Sequence, residues 1–305
     1  MSELKLKINA KSNAGVVRSN NEDFYGIIEK ENLVIVCDGM GGHKAGAYAS
    51  QLAVKTVSEM YASLETKVLY KITKDLIRKE LSVASPLIGS IRLTNRMLYN
   101  QSIEKLELQG MGTTISTLAI NQGHAIIGHV GDSRIYRFRE GKMELLTEDH
   151  TWLNELILDN EIDTDQAKNF KDKNVITRAL GLNRTVKIDL RIEPLNQGDI
   201  FLLCTDGLTK ALSENEIKRI VLFNEKKFNH TLNHLIDDAN IKDGSDNITI
   251  AMVAVEKFSP IKNMSLATKL TLKAEDNRTA RIENRILKRN SSSSSLTNQL
   301  KKLFS

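Results

Sequence analysis

The chain is poor in the residues that most often advertise a function. Its 305 residues include two cysteines and one tryptophan, and no apolar stretch approaches the roughly 20 residues needed to cross a bilayer. Cys37 and Cys204 each sit inside an apolar run. That placement argues against a disulfide framework and reads as two small buried hydrophobes instead of thiol nucleophiles. His124, His129, His150, His230 and His234 show no metal-ligand spacing and read as structural or surface residues. Met1 to Lys7 alternates like a strand and lacks the continuous apolar segment of a secretory leader, so the cytoplasm is the expected location. No internal repeat is present. The net charge of +5 is also missing from most of the chain: residues 260–305 carry +7, leaving the remainder at −2.

What the chain does have is acids at the ends of apolar strands. Val34-Ile35-Val36-Cys37 runs directly into Asp38-Gly39-Met40-Gly41-Gly42-His43, and Ile200-Phe201-Leu202-Leu203-Cys204 runs into Thr205-Asp206-Gly207. A shorter version is Ile127 to Val130 followed by Gly131-Asp132, and Asp246 stands just before the apolar run Ile248–Val255. A single Asp-Gly pair is an ordinary turn. The whole set, each acid beside a strand that reads as buried, is not, because a carboxylate there is costly without a positive partner. The acids are far apart in sequence, unlike the compact ligand run of an EF-hand loop. Together they suggest one cluster of oxygen ligands for hard divalent cations, and hence a metal-dependent hydrolase.

Period-two alternation predicts strands near Leu4–Ala10, Phe24–Glu29, Thr114–Ile120, Gly123–His129 and Ser133–Arg139. Continuous apolar runs predict more deeply buried strands at Leu33–Cys37, Ile200–Cys204 and Ile248–Val255. Helical spacing covers about 44–63, 66–82, 88–108, 150–159, 213–222 and 228–239, with Ser213 to Glu216 as a capping box. Strand groups separated by helix groups favour an α+β layered fold. After Val255 the pattern becomes polar and basic, and Ser291–Ser295 reads as a flexible linker. The expected division is a globular domain at 1–257 and a basic, Ser-rich, disordered tail at 258–305. Leu296, Leu300 and Leu303 give that tail a short amphipathic end.

In order along the chain, Arg18-Ser19-Asn20-Asn21-Glu22-Asp23, Asp38-Gly39-Met40-Gly41-Gly42, Gly110-Met111-Gly112-Thr113-Thr114 and Gly131-Asp132-Ser133-Arg134 are followed by four further motifs. These are Leu146-Thr147-Glu148-Asp149-His150, Thr177-Arg178-Ala179-Leu180-Gly181, Thr205-Asp206-Gly207 and Asp246-Asn247. The series resembles the metal-dependent serine/threonine protein phosphatases of the PP2C (PPM) family, in compact bacterial form, over roughly residues 8–255. The resemblance implies a four-layer α/β/β/α sandwich with a binuclear metal centre at one end. It implies that Asp38 bridges two ions, Gly39 offers a carbonyl to the second, and Asp206 and Asp246 complete the sphere of the first. Glu22 would hold metal-bound waters, and Asp132, with Asp206, would hold a third ion. Mn2+ and Mg2+ both suit such an all-oxygen site. Arg18 resembles the phosphate-binding arginine, whose planar fork matches two phosphate oxygens. The substrates implied are phosphoserine and phosphothreonine proteins, including a cognate kinase and its targets, with the enzyme a monomer attacking phosphorus directly through a metal-bridging hydroxide.

Some roles stay open at this stage. Met40 stands where eukaryotic members often carry a histidine. His43 is a candidate to protonate the leaving oxygen; the alternatives are a packing or capping role for His43 and a metal-bound water as the acid. Residues 147–176 are expected to form a flap beside the cleft, with Trp152, Leu153, Leu156 and Ile157 packing into the core and Asp165–Lys173 open to substrate. The competing reading is a catalytically weak binding module whose basic tail meets a partner, a nucleic acid or an acidic membrane surface. Such a module is expected to lack ligand acids or Arg18, and this chain keeps them. A chain cut near residue 257 should keep catalysis and lose any tail-dependent binding.

Overall fold

A computed structural model of the chain describes residues 4–42, 44–63, 79–159, 162, 175–223, 227–259 and 268–272. Five strands form one antiparallel sheet: β1 (Lys5–Asn13), β11 (Ile248–Lys257), β10 (Ile200–Cys204), β7 (Arg134–Arg139) and β8 (Lys142–Leu145), in that spatial order. The second sheet runs β12 (Thr268–Leu272), β9 (Ile188–Pro194), β6 (His124–Val130), β5 (Ile115–Asn121), β3 (Leu33–Met40) and β2 (Asp23–Ile28). A two-residue strand, β4 (Gly112–Thr113), pairs with the end of β3. Tight connections follow local chemistry. The β5–β6 turn has Gln122 and Gly123 both at positive φ (48° and 76°), the backbone that a two-residue hairpin loop requires.

The layers follow from which side chains alternate across each strand. In β3, Leu33, Ile35 and Cys37 face α1 (Lys44–Ser63) and α2 (Ser85–Glu104), whereas Val34 and Val36 face the other sheet. In β10, Ile200, Leu202 and Cys204 meet the helices α4 (Asp206–Ala211), α5 (Glu214–Phe223) and α6 (Phe228–Lys242). Phe201 and Leu203 turn inward to meet Val34, Val36, Leu118, Ile127, Val253 and Val255. Strands buried on both faces must be apolar at every position, which is why these runs are continuous. Three cores between four layers result, the α/β/β/α sandwich that the motifs implied.

The helix starts also have visible causes. At α5, Ser213 N–H donates to Glu216 Oε2 at 3.0 Å, the half of a capping box in which the acid reaches back, while Ser213 Oγ donates to the same oxygen at 2.8 Å instead of accepting from the Glu216 N–H. The expected helix at 66–82 falls almost wholly on residues outside those described. So does nearly half of the flap, including all of Asp165–Lys173. What is described of it, α3 (Trp152–Leu158), differs from expectation, since no residue of this helix is buried and Trp152 is 44% exposed. Leu153 and Ile157 line a side cleft instead of the interior.

Three strands lie where the sequence pattern predicts none. Two are β8 and β9, where Arg137 of β7 and Arg191 of β9 both pair with Glu144 of β8 and Glu193 of β9, joining the two sheets at one edge. The third is β12, beyond the boundary expected at 257. It pairs antiparallel with β9 and buries Leu272 among the residues under α1 and α2. Lys269 on β12 forms an ion pair with Glu148. A chain ending at residue 257 is therefore expected to stay folded but melt lower, by roughly 3–10 °C, from the loss of one buried leucine and an edge strand. A thermal melt of the truncated and full chains checks this, and equal melting temperatures would place β12 outside the cooperative fold.

Candidate metal centre

Asp38 lies near the end of β3, Asp206 at the first turn of α4 directly after β10, Asp132 in the β6–β7 turn, and Asp246 just before β11. Four chain segments distant in sequence thus end at one rim of the sandwich. There they line a cleft of about 460 Å³ together with Glu22, Gly39 and Arg18. All the site residues expected from sequence except His43 meet there; His43 lies outside the described residues.

The backbone beneath the acids is tightly fixed. Asp38 N–H donates to Thr114 Oγ1 at 2.9 Å, and Asp38 O accepts from Thr113 Oγ1 and from Thr114 N–H, both at 2.8 Å. Gly39 N–H donates to Glu22 O at 3.1 Å. Asn247 fastens the β1–β2 connection to the start of β11 at three points: its Oδ1 accepts from Glu22 N–H, and its amide donates to Ala14 O and Asn20 O. Gly207 is needed because a Cβ there would lie 2.0 Å from Asn247 O. The glycines and threonines of the motifs are thus the parts that hold carboxylates at a strand end.

Electrostatically the cleft is overloaded with negative charge. Burial, then the charges of Asp23, Asp206, Asp132 and Asp246, push the Asp38 carboxyl well above the usual range. Burial and the neighbouring Asp206 and Asp149 push Asp132 up to about 7. Asp206 is raised chiefly by burial, with the charge of Asp246 adding to it against the opposing pull of Lys210. Asp132 Oδ1 and Asp206 Oδ1 are buried with no hydrogen-bond partner.

Asp23 is a further acid that sequence reading left without a role. It sits opposite Asp38 across β2 and β3, is 4% exposed, and accepts from Thr205 Oγ1 at 2.8 Å. Burial raises it to about 7. Its signal was its place at the end of the Arg18 motif, one strand away from Asp38.

Among the described residues, no three His, Cys, Asp or Glu side chains stand closely enough to grip an ion as they are. Cations of the protein fill part of the space instead. Lys210 Nζ lies 2.5 Å from Asp206 Oδ2 and 2.8 Å from Asp246 Oδ2, and Arg18 reaches Asp246 Oδ1 at 3.0 Å. Buried carboxylate oxygens without donors, like charges raised in concert and an all-oxygen donor set fit hard divalent cations. Softer ligands are poorly placed. Cys37 and Cys204 are fully buried, and burial pushes the Cys204 thiol up to about 12.

Two histidines prove structural, as expected. Gly131 N–H donates to His150 Nδ1 at 3.0 Å, and His150 Nε2 faces Asp189 at 3.2 Å. His129 Nε2 lies 3.0 Å from Glu148 O, and burial, then His150, lowers its pKa to about 3, so it is a neutral donor. The pair joins the Asp132 turn to the first residues of the flap.

A family model described as "Protein phosphatase 2C" matches residues 16–243. The chain is 36% identical over 246 residues to the "Serine/threonine phosphatase stp" of Listeria monocytogenes, spanning 80% of this chain and 93% of that one. Its fold is similar to the solved serine/threonine phosphatase of S. agalactiae, with a TM-score of 0.73 and 35% identity over 83% of this chain and 100% of the other. It is also similar to the catalytic domain of serine threonine protein phosphatase PstP in complex with two manganese ions, at TM-score 0.66 and 28% identity, over 83% and 99% of the two chains. The chain belongs to the protein phosphatase 2C family, among its bacterial serine/threonine phosphatases.

Proposed function

We propose that the chain removes phosphate from phosphoserine and phosphothreonine proteins in a metal-dependent hydrolysis, with all its chemistry in the 460 Å³ cleft. The observation that carries this is the meeting of Asp38, Asp132, Asp206, Asp246 and Glu22 with Arg18 around buried carboxylate oxygens that lack donors. Asp38, Asp206, Asp246 and the Gly39 carbonyl would hold two Mn2+ or Mg2+ ions, Glu22 would orient their waters, and Asp132 with Asp206 would hold a third. The manganese pair in the related PstP domain supports the count of two. When bound, the ions supply positive charge that offsets the acids and makes water a competent nucleophile near neutral pH.

The protein's own residues do the rest. Arg18 is half-exposed at the cleft mouth, its Nε donating to Ser245 O at 3.2 Å and its Nη2 paired with Asp246 Oδ1 at 3.0 Å, which supports a phosphate-binding role beside the proposed ions. Both thiols are sealed beneath the strands, so the phosphoryl group has no cysteine to attack it. His43 remains the proposed acid for the leaving serine or threonine oxygen. The setting proposed is a cytoplasmic monomer serving a cognate kinase and its targets. In support, no helix among the described residues is long and apolar enough to cross a membrane.

Alanine at Asp38, Asp206 or Asp246 is expected to cut Mn2+-dependent phosphopeptide hydrolysis by about a hundredfold or more, on the scale of losing a key electrostatic group. Near-normal turnover by folded Asp38→Ala at saturating metal would overturn the metal assignment. Arg18→Ala should raise KM about tenfold or more without weakening Mn2+ binding, because the guanidinium contacts substrate oxygens. Calorimetry showing Mn2+ binding lost with activity would move Arg18 to scaffold support.

The raised acids also fix a pH dependence. Between about pH 4 and 7, folded metal-free protein binds more protons at Asp23, Asp38 and Asp132 than unfolded chain does. Its stability must then fall as pH rises through about 7. Metal-free protein is expected to melt higher at pH 5.5 than at pH 8, and saturating Mn2+ should reverse the order. Melting curves at the two pH values, with chelator or with Mn2+, check both signs.

A further inference from the structure

Among the described residues that line the cleft, Lys210 is the one cation with no part in the proposed hydrolysis. Asp206 and Lys210 are four residues apart on α4, the spacing and order in which an acid and a lysine on one helix face meet. The ammonium also crosses to Asp246 on the loop before β11, bridging two acids that come from different strand ends. These are the two acids proposed to complete the sphere of the first ion, so the inference rests on the metal reading. Its side chain is 30% exposed and theirs 15% and 20%, so the triplet is partly shielded from water. Burial opposes the lysine's charge, but the two carboxylates outweigh it and keep the ammonium protonated.

We infer that Lys210 is a built-in counter-ion of the metal-free site, occupying the Asp206–Asp246 gap until a divalent ion displaces it. The exclusion is steric as well as electrostatic. A hard divalent ion binds carboxylate oxygens at about 2.0–2.6 Å, and an ammonium already at hydrogen-bond distance from both oxygens leaves no room for it. Space for the displaced side chain adjoins the site. Lys210 also lines a second cleft of about 330 Å³ shared with Asp132, Thr209 and the Arg134–Asp149 ion pair.

The consequence is a trade between two states. In metal-free protein the lysine offsets repulsion among acids that would otherwise face one another across the gap. Metal must then compete with it, and the apparent affinity of the first ion falls by the fraction of molecules whose gap is vacant. Lys210 thus sets the metal concentration at which the enzyme switches on, while contributing no ligand.

The test is Lys210→Met, which keeps most of the stem and removes the charge, with Lys210→Gln as a second variant that keeps a donor for the carboxylates. Metal-free proteins are titrated with Mn2+ by calorimetry, and melting curves are recorded with chelator and with saturating Mn2+. The tightest Mn2+ site should bind about fivefold or more tightly in the variants, in the usual range of coupling between competing occupants. The metal-free melting temperature should fall and the Mn2+-loaded one should stay at the wild-type value. Unchanged or weaker Mn2+ binding in a folded variant overturns the inference. A wild-type chain that binds no Mn2+ overturns the metal reading itself, and so separates the two failures.

Discussion

Carboxylates gathered at one end of a β-sandwich repel one another with little water between them, and the surrounding fold is arranged to hold them there regardless. Asp38 and Asp23 face each other across neighbouring strands, and like charges so placed weaken a sheet. The strain is tolerated because the strands themselves are among the most buried in the protein. Leu33 to Cys37 and Ile200 to Cys204 pack on both faces, against helices on one side and the opposite sheet on the other. A strand that can hardly move delivers its terminal acid to a fixed point. The apolar runs are thus as much part of the site as the acids.

Between the strands and the acids lies a layer of small polar residues that explains the spacing of the motifs. Thr113 and Thr114 hold the Asp38 backbone, Thr205 spans from Thr249 to Asp23, and Asn247 gathers the β1–β2 connection at Ala14, Asn20 and Glu22. None of them is a candidate ligand. Each satisfies backbone groups that a strand end would leave unpaired in a place where water is scarce. Replacing such residues by apolar ones of similar size would leave buried donors and acceptors unmet, which costs more than the net gain of an average hydrogen bond.

What could be read from the sequence follows the same division. Strands buried on both faces, the acids at their ends and the long helices α1 and α6 were legible because burial forces a pattern on every position. The strand β9 carries its own signal, with Ile188, Leu190 and Ile192 alternating with Asp189, Arg191 and Glu193, but its charged face reads as a loop until Arg137 and Glu144 are brought beside it. The strand β12, with Thr268, Lys269 and Thr271 around two leucines, has composition indistinguishable from the polar tail, and only pairing with β9 orders it. The apolar stripe of α3 suggests a core helix, yet Trp152 and Ile157 stay exposed, and Ile157 lines a side cleft. Lys210 was invisible for another reason: a lysine four residues after an aspartate is ordinary helix chemistry, and its second partner is 36 residues away.

Charge also dictates an order of events in the cleft. Among the described residues, five acids and two cations line it, a formal −3 when all are ionised, so a phosphate group arriving at the metal-free site meets repulsion from these acids and attraction only from Arg18 and Lys210. Both of those are already engaged by Asp246. Two divalent ions, as proposed, would reverse the sign to +1 and compete with the cations for their carboxylates, which would leave the guanidinium of Arg18 free to turn its fork to phosphate oxygens. A net charge of −2 over residues 1–259 gives the domain no overall attraction for an anion. On the proposed reading, recognition of phosphate would therefore be conditional on metal. The same acids that make the empty cleft hostile to an anion are what gather the ions that make it receptive.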